Sequence, residues 1–286
     1  MERTLDVHSG GVRLTAREWP GDGPGVLLLH GLASSSHVWD LVAPRLAPAL
    51  RVVAYDQRGH GRSSKPSTGY GFERTSADAL AVIRASRLRR PLVVGHSWGA
   101  NVALELAVAN RREVAGVLLV DGGFLSLRDR MDWPTTKERL APPDLAGTPL
   151  HEFLEMIRSF LRGQIQITPE VEAVFLSHMR VDREGNIHPR LSRANHLRVL
   201  RALWEQDAVA LLRRVRVPTL VLGVRSAPEV PDSAGFMQEK ERASGVVRAI
   251  GEPVRFEWID GVHDVPLQRP RAVASRIRRF ATQTVG

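Results

Sequence analysis

A serine between two glycines lies in the sequence Gly95-His96-Ser97-Trp98-Gly99. The apolar run before this motif has the composition of a strand, and the Ala- and Leu-rich run after it has that of a helix. A serine at such a strand-to-helix turn has a strained backbone and an exposed hydroxyl, and the glycines leave room where the strand and the helix approach each other. Ser97 is therefore a candidate nucleophile for attack on a carbonyl group.

Apolar runs alternate with helical patterns on both sides of Ser97. This alternation predicts a parallel sheet with helices on both faces, because continuous apolar runs are typical of strands that are covered on both sides. Strands are predicted over residues 26–29, 51–55, 90–94, 114–120, 218–224 and 254–259, with an edge strand over 12–18. Helices are predicted over residues 37–46, 76–85 and 235–250 and after Pro270.

The alternation stops between residues 123 and 207, where the sequence is irregular and contains several prolines. Helical periodicity there is limited to residues 151–161 and 193–204. A long insertion between two strands of a sheet is the arrangement of a cap over an active site. The sequence therefore predicts a core over residues 1–122 and 208–286 and a helical cap over residues 123–207.

The 286-residue chain is basic, with a formal charge of +9 that comes from 37 Arg and 3 Lys against 31 acidic residues. The basic residues are scattered and no nucleic-acid-binding motif accompanies them, so we expect no nucleic-acid partner. The absence of cysteine excludes disulfides, thiolate metal sites and a cysteine nucleophile. The N-terminus lacks the apolar segment of a signal peptide and no apolar run is long enough to cross a bilayer, so we expect a cytoplasmic protein without membrane contact.

No sequence feature indicates a cofactor. The chain contains no H-E-x-x-H motif and no carboxylates clustered at metal-ligand spacing, and no G-x-G-x-x-G motif follows a predicted strand. We therefore expect neither a metal ion nor a dinucleotide cofactor.

Four segments of the chain resemble the α/β-hydrolase superfamily. They are His30-Gly31, the loop over residues 56–63, the serine motif at 95–99 and Gly261-Val262-His263. Each pattern is short, and their order and intervals make the resemblance specific. It implies a mostly parallel central sheet with helices on both faces and a helical cap inserted after the strand that follows the nucleophile strand. It also implies a catalytic triad in the chain order nucleophile, acid, histidine.

The resemblance implies that His263, just before the last predicted helix, is the base that activates Ser97. It also implies an oxyanion hole made by the backbone N–H groups of Leu32 and Trp98. Nine other histidines compete with His263. Among them, His96 lies within the serine motif and is expected to pack beside the sheet rather than reach Ser97.

The acid of the triad departs from the usual pattern of the family. It commonly lies a few residues after the strand predicted over 218–224, and Ser226 occupies that place here. Asp121 is the preferred candidate, because it ends the strand after the nucleophile strand and some branches of the superfamily use that position. Glu229 and Asp232 remain alternatives, since a longer loop could bring either carboxylate to the histidine.

These residues predict a serine hydrolase that cleaves a carboxylic ester or lactone through an acyl-enzyme. A serine nucleophile argues against the aspartate-dependent epoxide hydrolases and haloalkane dehalogenases. The alternatives are a carbon–carbon hydrolase of ring-cleavage products, a cofactor-free peroxidase side activity and a non-catalytic ligand receptor on the same scaffold. The missing acid at the usual position favours the receptor, whereas the presence of Ser97 and His263 argues against it.

Aromatic residues beside the motif and in the cap bear on the small-molecule substrate. Trp98, Phe124, Trp133 and Trp204 are the candidates predicted to contact it, although core packing is the preferred interpretation for most of them. Trp98, directly beside the nucleophile, is the strongest candidate. If they line the pocket, the substrate is apolar or aromatic around its ester bond.

Overall fold

The computed structural model describes residues 2–227 and 233–284 of the chain. The strands in these ranges are β1 (Arg3–Ser9), β2 (Val12–Trp19), β3 (Gly25–Leu29), β4 (Arg51–Tyr55), β5 (Leu92–His96), β6 (Gly116–Val120), β7 (Thr148–Pro149), β8 (Met179–Val181), β9 (Asn186–Pro189), β10 (Thr219–Arg225) and β11 (Val254–Asp260). The α-helices are α1 (Ala43–Leu46), α2 (Phe72–Ala85), α3 (Trp98–Ala109), α4 (Trp133–Leu140), α5 (Leu150–Leu161), α6 (Pro169–Ser177), α7 (Arg193–Glu205), α8 (Ala208–Arg214), α9 (Ser233–Ile250), α10 (Val265–Gln268) and α11 (Pro270–Thr284). Two short 3₁₀ segments cover Ser36–Trp39 and Leu127–Asp129.

Eight of these strands form the main sheet, in the order β1-β2-β4-β3-β5-β6-β10-β11. The pairs β1–β2 and β2–β4 are antiparallel, and every other neighbouring pair is parallel. The central strands β5 and β6 are buried at every residue, as strands covered on both faces must be. The predicted mostly parallel sheet with helices on both faces is confirmed.

Side chains alternate between two cores, one on each face of the main sheet. Val93 and Leu119 face the core that includes residues of α2, α3 and α8, whereas Val94 and Leu118 face the core that includes residues of α1 and α11. Parallel strands end at the same edge of a sheet, so the loops after β3, β5, β6 and β11 meet there. These loops and strand ends carry His30, Ser97, Asp121 and His263.

The sequence analysis does not predict β1. It predicts the segment that forms β2 as the edge strand of the sheet. In the structure β1 pairs with β2 along its whole length, and most of its residues are exposed or half-buried. An exposed edge strand lacks the continuous apolar run that marks the central strands, so its sequence gives a weak signal. The helix predicted over 37–46 is also divided in the structure, into the 3₁₀ segment Ser36–Trp39 and α1.

The insertion between β6 and α8 contains α4, α5, α6 and α7, as a cap with helices predicts. It also contains a three-stranded antiparallel sheet in the order β7-β9-β8, which the prediction of a helical cap does not include. These strands have two to four residues, too few to show a period-two pattern in the sequence. The boundaries of the cap stay predictions.

The residues of the turn between β8 and β9 have the sequence pattern of a hairpin. Asp182 Oδ1 accepts hydrogen bonds from the backbone N–H groups of Glu184 and Asn186, and Gly185 has a φ of +85°. Aspartate followed by glycine at a left-handed position is the chemistry of a tight turn. Together these residues indicate a hairpin.

Candidate active site

The chain turns sharply at Ser97, between β5 and α3. Ser97 has a φ of +54° and a ψ of −123°, in a region that residues other than glycine rarely occupy. Its N–H donates to Val120 O at 2.9 Å, and its own carbonyl accepts the N–H of Ala100 at 2.9 Å. The strained turn is therefore anchored to β6 on one side and to α3 on the other.

Three glycines surround this turn because backbone atoms leave no room for a side chain. A Cβ atom on Gly95 would lie 2.2 Å from Gly99 O, and one on Gly99 would lie 2.5 Å from Leu29 O. A Cβ atom on Gly122 would lie 2.2 Å from Ser97 O. Backbone atoms cannot move aside as the end of a flexible side chain can, so the glycine spacing of the motif is a steric requirement.

His263 lies on the loop after β11 and contacts the carboxylate of Asp121. The distance from His263 Nδ1 to Asp121 Oδ2 is 2.7 Å, and 54% of the His263 side chain is exposed. Because a carboxylate only accepts hydrogen bonds, the proton of neutral His263 lies on Nδ1 and Nε2 keeps its lone pair. This is the tautomer that a general base needs.

Asp121 is buried at the end of β6 and is held by several donors. Its Oδ1 accepts the N–H of Val224 at 2.9 Å, and Lys240 Nζ lies 2.8 Å from both carboxylate oxygens. Burial would raise the pKa of Asp121, but its interactions with His263 and Lys240 outweigh burial and hold the pKa well below its usual range. Loss of solvent lowers the pKa of His263, and the interactions with Asp121 outweigh this and raise it above its ordinary value.

His96 links the histidine loop to the nucleophile turn. Its Nε2–H donates to the backbone O of His263 at 2.8 Å, and the centroids of the two imidazole rings are 4.9 Å apart. Because His96 directly precedes Ser97, this contact holds the His263 loop beside the nucleophile. Burial, and then the neighbouring His263, lower the pKa of His96 to about 4, so His96 is a neutral donor at pH 7. Sequence reasoning missed this contact.

The loop after β3 lies directly against the nucleophile. A Cβ atom on Gly31 would lie 3.1 Å from Ser97 Cβ. The loop is held by His30, whose Nε2 accepts the N–H of Gln57 at 2.9 Å and whose backbone O accepts from Gln57 Nε2 at 2.7 Å. These two hydrogen bonds attach the loop to the end of β4.

Leu32 and Trp98 are the residues predicted to supply the oxyanion hole. In the part of the chain that the structure describes, neither backbone N–H group donates to a protein acceptor, so both are available to an oxyanion. The indole of Trp98 is packed on the imidazole of His60, with ring centroids 5.2 Å apart. Only 1% of Trp98 is exposed, and the contact of its side chain with the substrate stays a prediction.

Residues 26–276 match the model of the alpha/beta hydrolase family. The chain belongs to this family. The match extends from β3 into α11 and so includes every loop of the site described above. The resemblance that the sequence motifs indicate is thereby confirmed.

Two relatives and one solved structure are similar to this chain over most of its length. The 2-(acetamidomethylene)succinate hydrolase of Mesorhizobium japonicum is 29% identical over 238 residues, which are 82% of this chain and 81% of the relative. The non-heme chloroperoxidase of Streptomyces lividans is 31% identical over 227 residues, which are 74% of this chain and 78% of the relative. The crystal structure of E-2-(acetamidomethylene)succinate hydrolase has a TM-score of 0.80 and 24% identity over 99% of this chain and 100% of that one, which shows the shared fold.

The other aromatic residues predicted to contact the substrate differ in burial, since Phe124 lies in the core and the two tryptophans are half-buried. Phe124 is fully buried against Phe256, with ring centroids 5.6 Å apart, which agrees with core packing, and its contact with the substrate stays a prediction. Trp133 and Trp204 join α4 to α7, with centroids 6.1 Å apart and the Arg201 guanidinium over both rings. Within the described ranges, no hydrogen bond or ring contact joins either tryptophan to Ser97 or His263.

Glu229 and Asp232, the alternative acids, lie outside the described residues. Ser226 follows β10 at the usual place of the acid, and Asp121 is the carboxylate that the structure brings to His263. Within residues 2–227 and 233–284, no group of three His, Cys, Asp or Glu side chains is placed to hold a metal ion. No helix in those same ranges is long and apolar enough to span a membrane.

Proposed function

We propose that this chain is a serine hydrolase that cleaves a carboxylic ester or lactone of a small molecule through an acyl-enzyme. The observation that carries this proposal is the 2.7 Å contact between His263 Nδ1 and Asp121 Oδ2, on a loop that His96 holds beside Ser97. Acyl transfer by a serine requires a base next to the nucleophile and a carboxylate that orients the base. Membership of the alpha/beta hydrolase family supports the same class of chemistry.

In the first step, His263 Nε2 accepts the proton of Ser97 Oγ as the oxygen attacks the carbonyl carbon of the substrate. The N–H groups of Leu32 and Trp98 stabilise the negative charge that develops on the carbonyl oxygen. His263 then gives its proton to the leaving oxygen, the ester C–O bond breaks, and the acyl group stays on Ser97. Asp121 keeps a proton on Nδ1 throughout and stabilises the imidazolium.

In the second step, water releases the acyl group. His263 takes a proton from the water, whose oxygen attacks the acyl carbon. The same proton then passes to Ser97 Oγ as the carboxylic acid leaves. The half-exposed ring of His263 supports this step, because solvent has access to the site.

Active-site labelling and ester hydrolysis test the proposal together. A fluorophosphonate probe should label Ser97, and p-nitrophenyl esters should be hydrolysed. Ser97→Ala should lose the label and about 10⁶ in kcat, because the bond-forming oxygen is gone. The matched control is Ser159→Ala, at an exposed serine on α5, which should keep both activities. Wild-type protein without labelling, or labelling that survives in Ser97→Ala, would reject the proposal.

Because Trp98 and Phe124 are buried in packing contacts, the aromatic residues do not indicate the substrate. A series of compounds is therefore used to identify it. The series combines p-nitrophenyl esters of increasing acyl length, a γ-lactone and 2-(acetamidomethylene)succinate, the compound in the name of one relative. A preference for the ester or lactone members supports the proposed bond type. Turnover of the last compound alone would replace the ester proposal.

We infer a second activity at the same site, perhydrolysis, from the similarity to the Streptomyces lividans chloroperoxidase. Hydrogen peroxide would replace water in the second step and release a peracid from the acyl-enzyme. The peracid would oxidise bromide to hypobromite and be reduced to the carboxylate. Bromination of monochlorodimedone should depend on acetate and peroxide and should be absent in Ser97→Ala. Bromination that persists in this variant would reject the inference.

A further inference from the structure

Lys240 is a buried cation behind the histidine and the acid of the site. Only 8% of the residue is exposed. Its Nζ lies 2.8 Å from both carboxylate oxygens of Asp121 and donates to Val224 O at 3.1 Å. Lysine is almost never buried unless it is paired, because an ammonium group loses its hydration there. The pairing with Asp121 is therefore the reason that Lys240 is tolerated in this place.

Three elements hold the Asp121 carboxylate at once. The Val224 N–H comes from β10, the Lys240 ammonium from α9, and the His263 Nδ1–H from the loop after β11. These donors engage both carboxylate oxygens. The carboxylate cannot rotate away from His263 without losing a charge-assisted hydrogen bond, and such bonds are among the strongest in proteins.

Lys240 also changes the charge that His263 experiences. The ionised Asp121 alone would present a full negative charge to the imidazole, whereas the Asp121–Lys240 pair is neutral overall. Among residues 2–227 and 233–284, the other titratable groups that act on His263 are Asp264, whose charge favours protonation of the ring, and His96, which is neutral. The positive charge of Lys240 opposes the proton that His263 must accept and release.

The residue type at this position fits a specific role. The chain uses 37 arginines and only 3 lysines, so arginine is its ordinary cation. A guanidinium pairs with a carboxylate through two parallel hydrogen bonds and would compete with His263 for Asp121 Oδ2. A compact ammonium can reach both oxygens and still leave room for the imidazole.

We propose that Lys240 is a positioning residue that fixes the Asp121 carboxylate behind His263 and limits how tightly the imidazole holds a proton. It acts through Asp121 and does not touch the substrate. The imidazole of His263 is then neutral, and able to accept the serine proton, at a lower pH than Asp121 alone would allow. This role rests on the proposed serine hydrolase function, because it is a role within that site.

The test is the pKa of His263 in the wild-type protein, in Lys240→Met and in the control Lys137→Met. Lys137 is exposed on α4, so the control removes the same formal charge from the cap. Ring-labelled histidines are followed by NMR titration, with the His263 signal assigned from His263→Gln. Lys240→Met should raise the pKa of His263 by about one unit, because an adjacent positive charge is lost. Lys137→Met should leave it unchanged.

The titration needs no substrate and so separates this proposal from the proposed function. If fluorophosphonate fails to label the wild-type protein, the hydrolase proposal fails and the pKa of His263 still decides the role of Lys240. If labelling succeeds, the acid limb of kcat/KM should move to higher pH in Lys240→Met by the same amount as the NMR pKa.

An unchanged or lowered pKa of His263 in Lys240→Met would overturn the proposal, as would an equal rise in Lys137→Met. If Lys240→Met does not fold, Lys240→Gln replaces it, since the amide keeps a donor to Asp121 without the charge. It should also raise the pKa, and the absence of a rise would overturn the proposal equally.

Discussion

Two buried aspartates of this protein are each paired with a cation, and the two pairs differ in what else the carboxylate binds. Asp78 on α2 binds the Arg58 guanidinium through both oxygens, at 2.5 and 2.7 Å, and both side chains are almost fully buried. Asp121 shares its oxygens between Lys240 and His263, and the His263 ring is half exposed. The first pair is closed within the core, whereas the second connects a buried charge to a group at the surface.

This difference indicates that a buried aspartate–cation pair can stabilise the fold or can act on a neighbouring titratable group. A bidentate arginine engages both oxygens of its carboxylate, so the Arg58–Asp78 pair joins the loop after β4 to α2 and its charges are neutralised in place. A lysine ammonium leaves room for a second donor, so the charge of Asp121 also acts on His263. We expect the two pairs to respond differently to the same substitution of the aspartate.

Of the two aspartate substitutions, Asp121→Asn should have the larger effect on activity. We expect a loss of about 10⁴ in kcat for ester hydrolysis, because asparagine neither selects the correct tautomer of His263 nor stabilises the imidazolium. Rates are measured at a temperature where circular dichroism shows the variant to be folded. Activity within tenfold of the wild-type rate would remove Asp121 from the role of the acid and leave Glu229 or Asp232.

Asp78→Asn should affect stability instead. We expect the free energy of unfolding to fall by about 3–5 kcal/mol, because Arg58 is left buried with an unpaired charge. The kcat of the folded variant should match that of the wild-type enzyme. Urea unfolding measures the loss, with Glu172→Gln as the control. Its partner Arg158 is largely exposed, so that substitution should cost less than about 1 kcal/mol.

A fall in kcat for Asp78→Asn comparable to that of Asp121→Asn would contradict the comparison, because the two carboxylates would then serve the same purpose. Equal losses of stability in Asp78→Asn and in Glu172→Gln would contradict the structural role of the buried pair.

The smallest expected effect is a shift in pH dependence. The pKa of His263 is raised above its ordinary value of 6.5, so kcat/KM should increase with pH through an apparent pKa above 6.5 as the base becomes neutral. His263 stabilises the fold below its unfolded pKa, and this contribution is lost as the pH rises through its folded pKa. The pKa of Asp121 is lowered in the folded protein, so ionised Asp121 stabilises the fold at neutral pH. This contribution to stability is lost only as the pH falls through the acid range.

Rates across the neutral range and urea unfolding at the same pH values measure these effects. An acid limb of kcat/KM below pH 6.5 would show that Asp121 does not raise the pKa of His263.

The nucleophile turn and the main sheet could be predicted because their signals are local. Gly95 and Gly99 are required by contacts within a few residues or with the adjacent strand, so the motif alone indicates the turn. The choice among Asp121, Glu229 and Asp232 stayed open because three carboxylates are compatible with the same sequence order. In the structure β10 pairs with both β6 and β11, so the end of β6 lies near the loop after β11, and the Asp121 carboxylate contacts His263 Nδ1.

Other parts of the site could not be predicted because the residue type alone does not show whether a side chain packs in the core, lines a pocket or forms a hydrogen bond across the site. Phe124 has the same aromatic surface in a core as in a pocket, and the structure shows the core. His96 and Lys240 give no motif that marks them as partners of His263 and Asp121. Their roles appear only from hydrogen bonds across the site.

The amino-acid sequence by itself determined the α/β class, the strained turn at Ser97 and the place of His263 near the end of the chain. Periodicity indicates the α/β class and the glycine spacing indicates the turn, whereas the resemblance to the family implies the place of His263. Only the tertiary structure decided which carboxylate supports the histidine, which cation supports that carboxylate and which donor holds the histidine loop. Each of these contacts joins residues that are 119 to 167 positions apart, so it exists only after the sheet has brought its strand ends together.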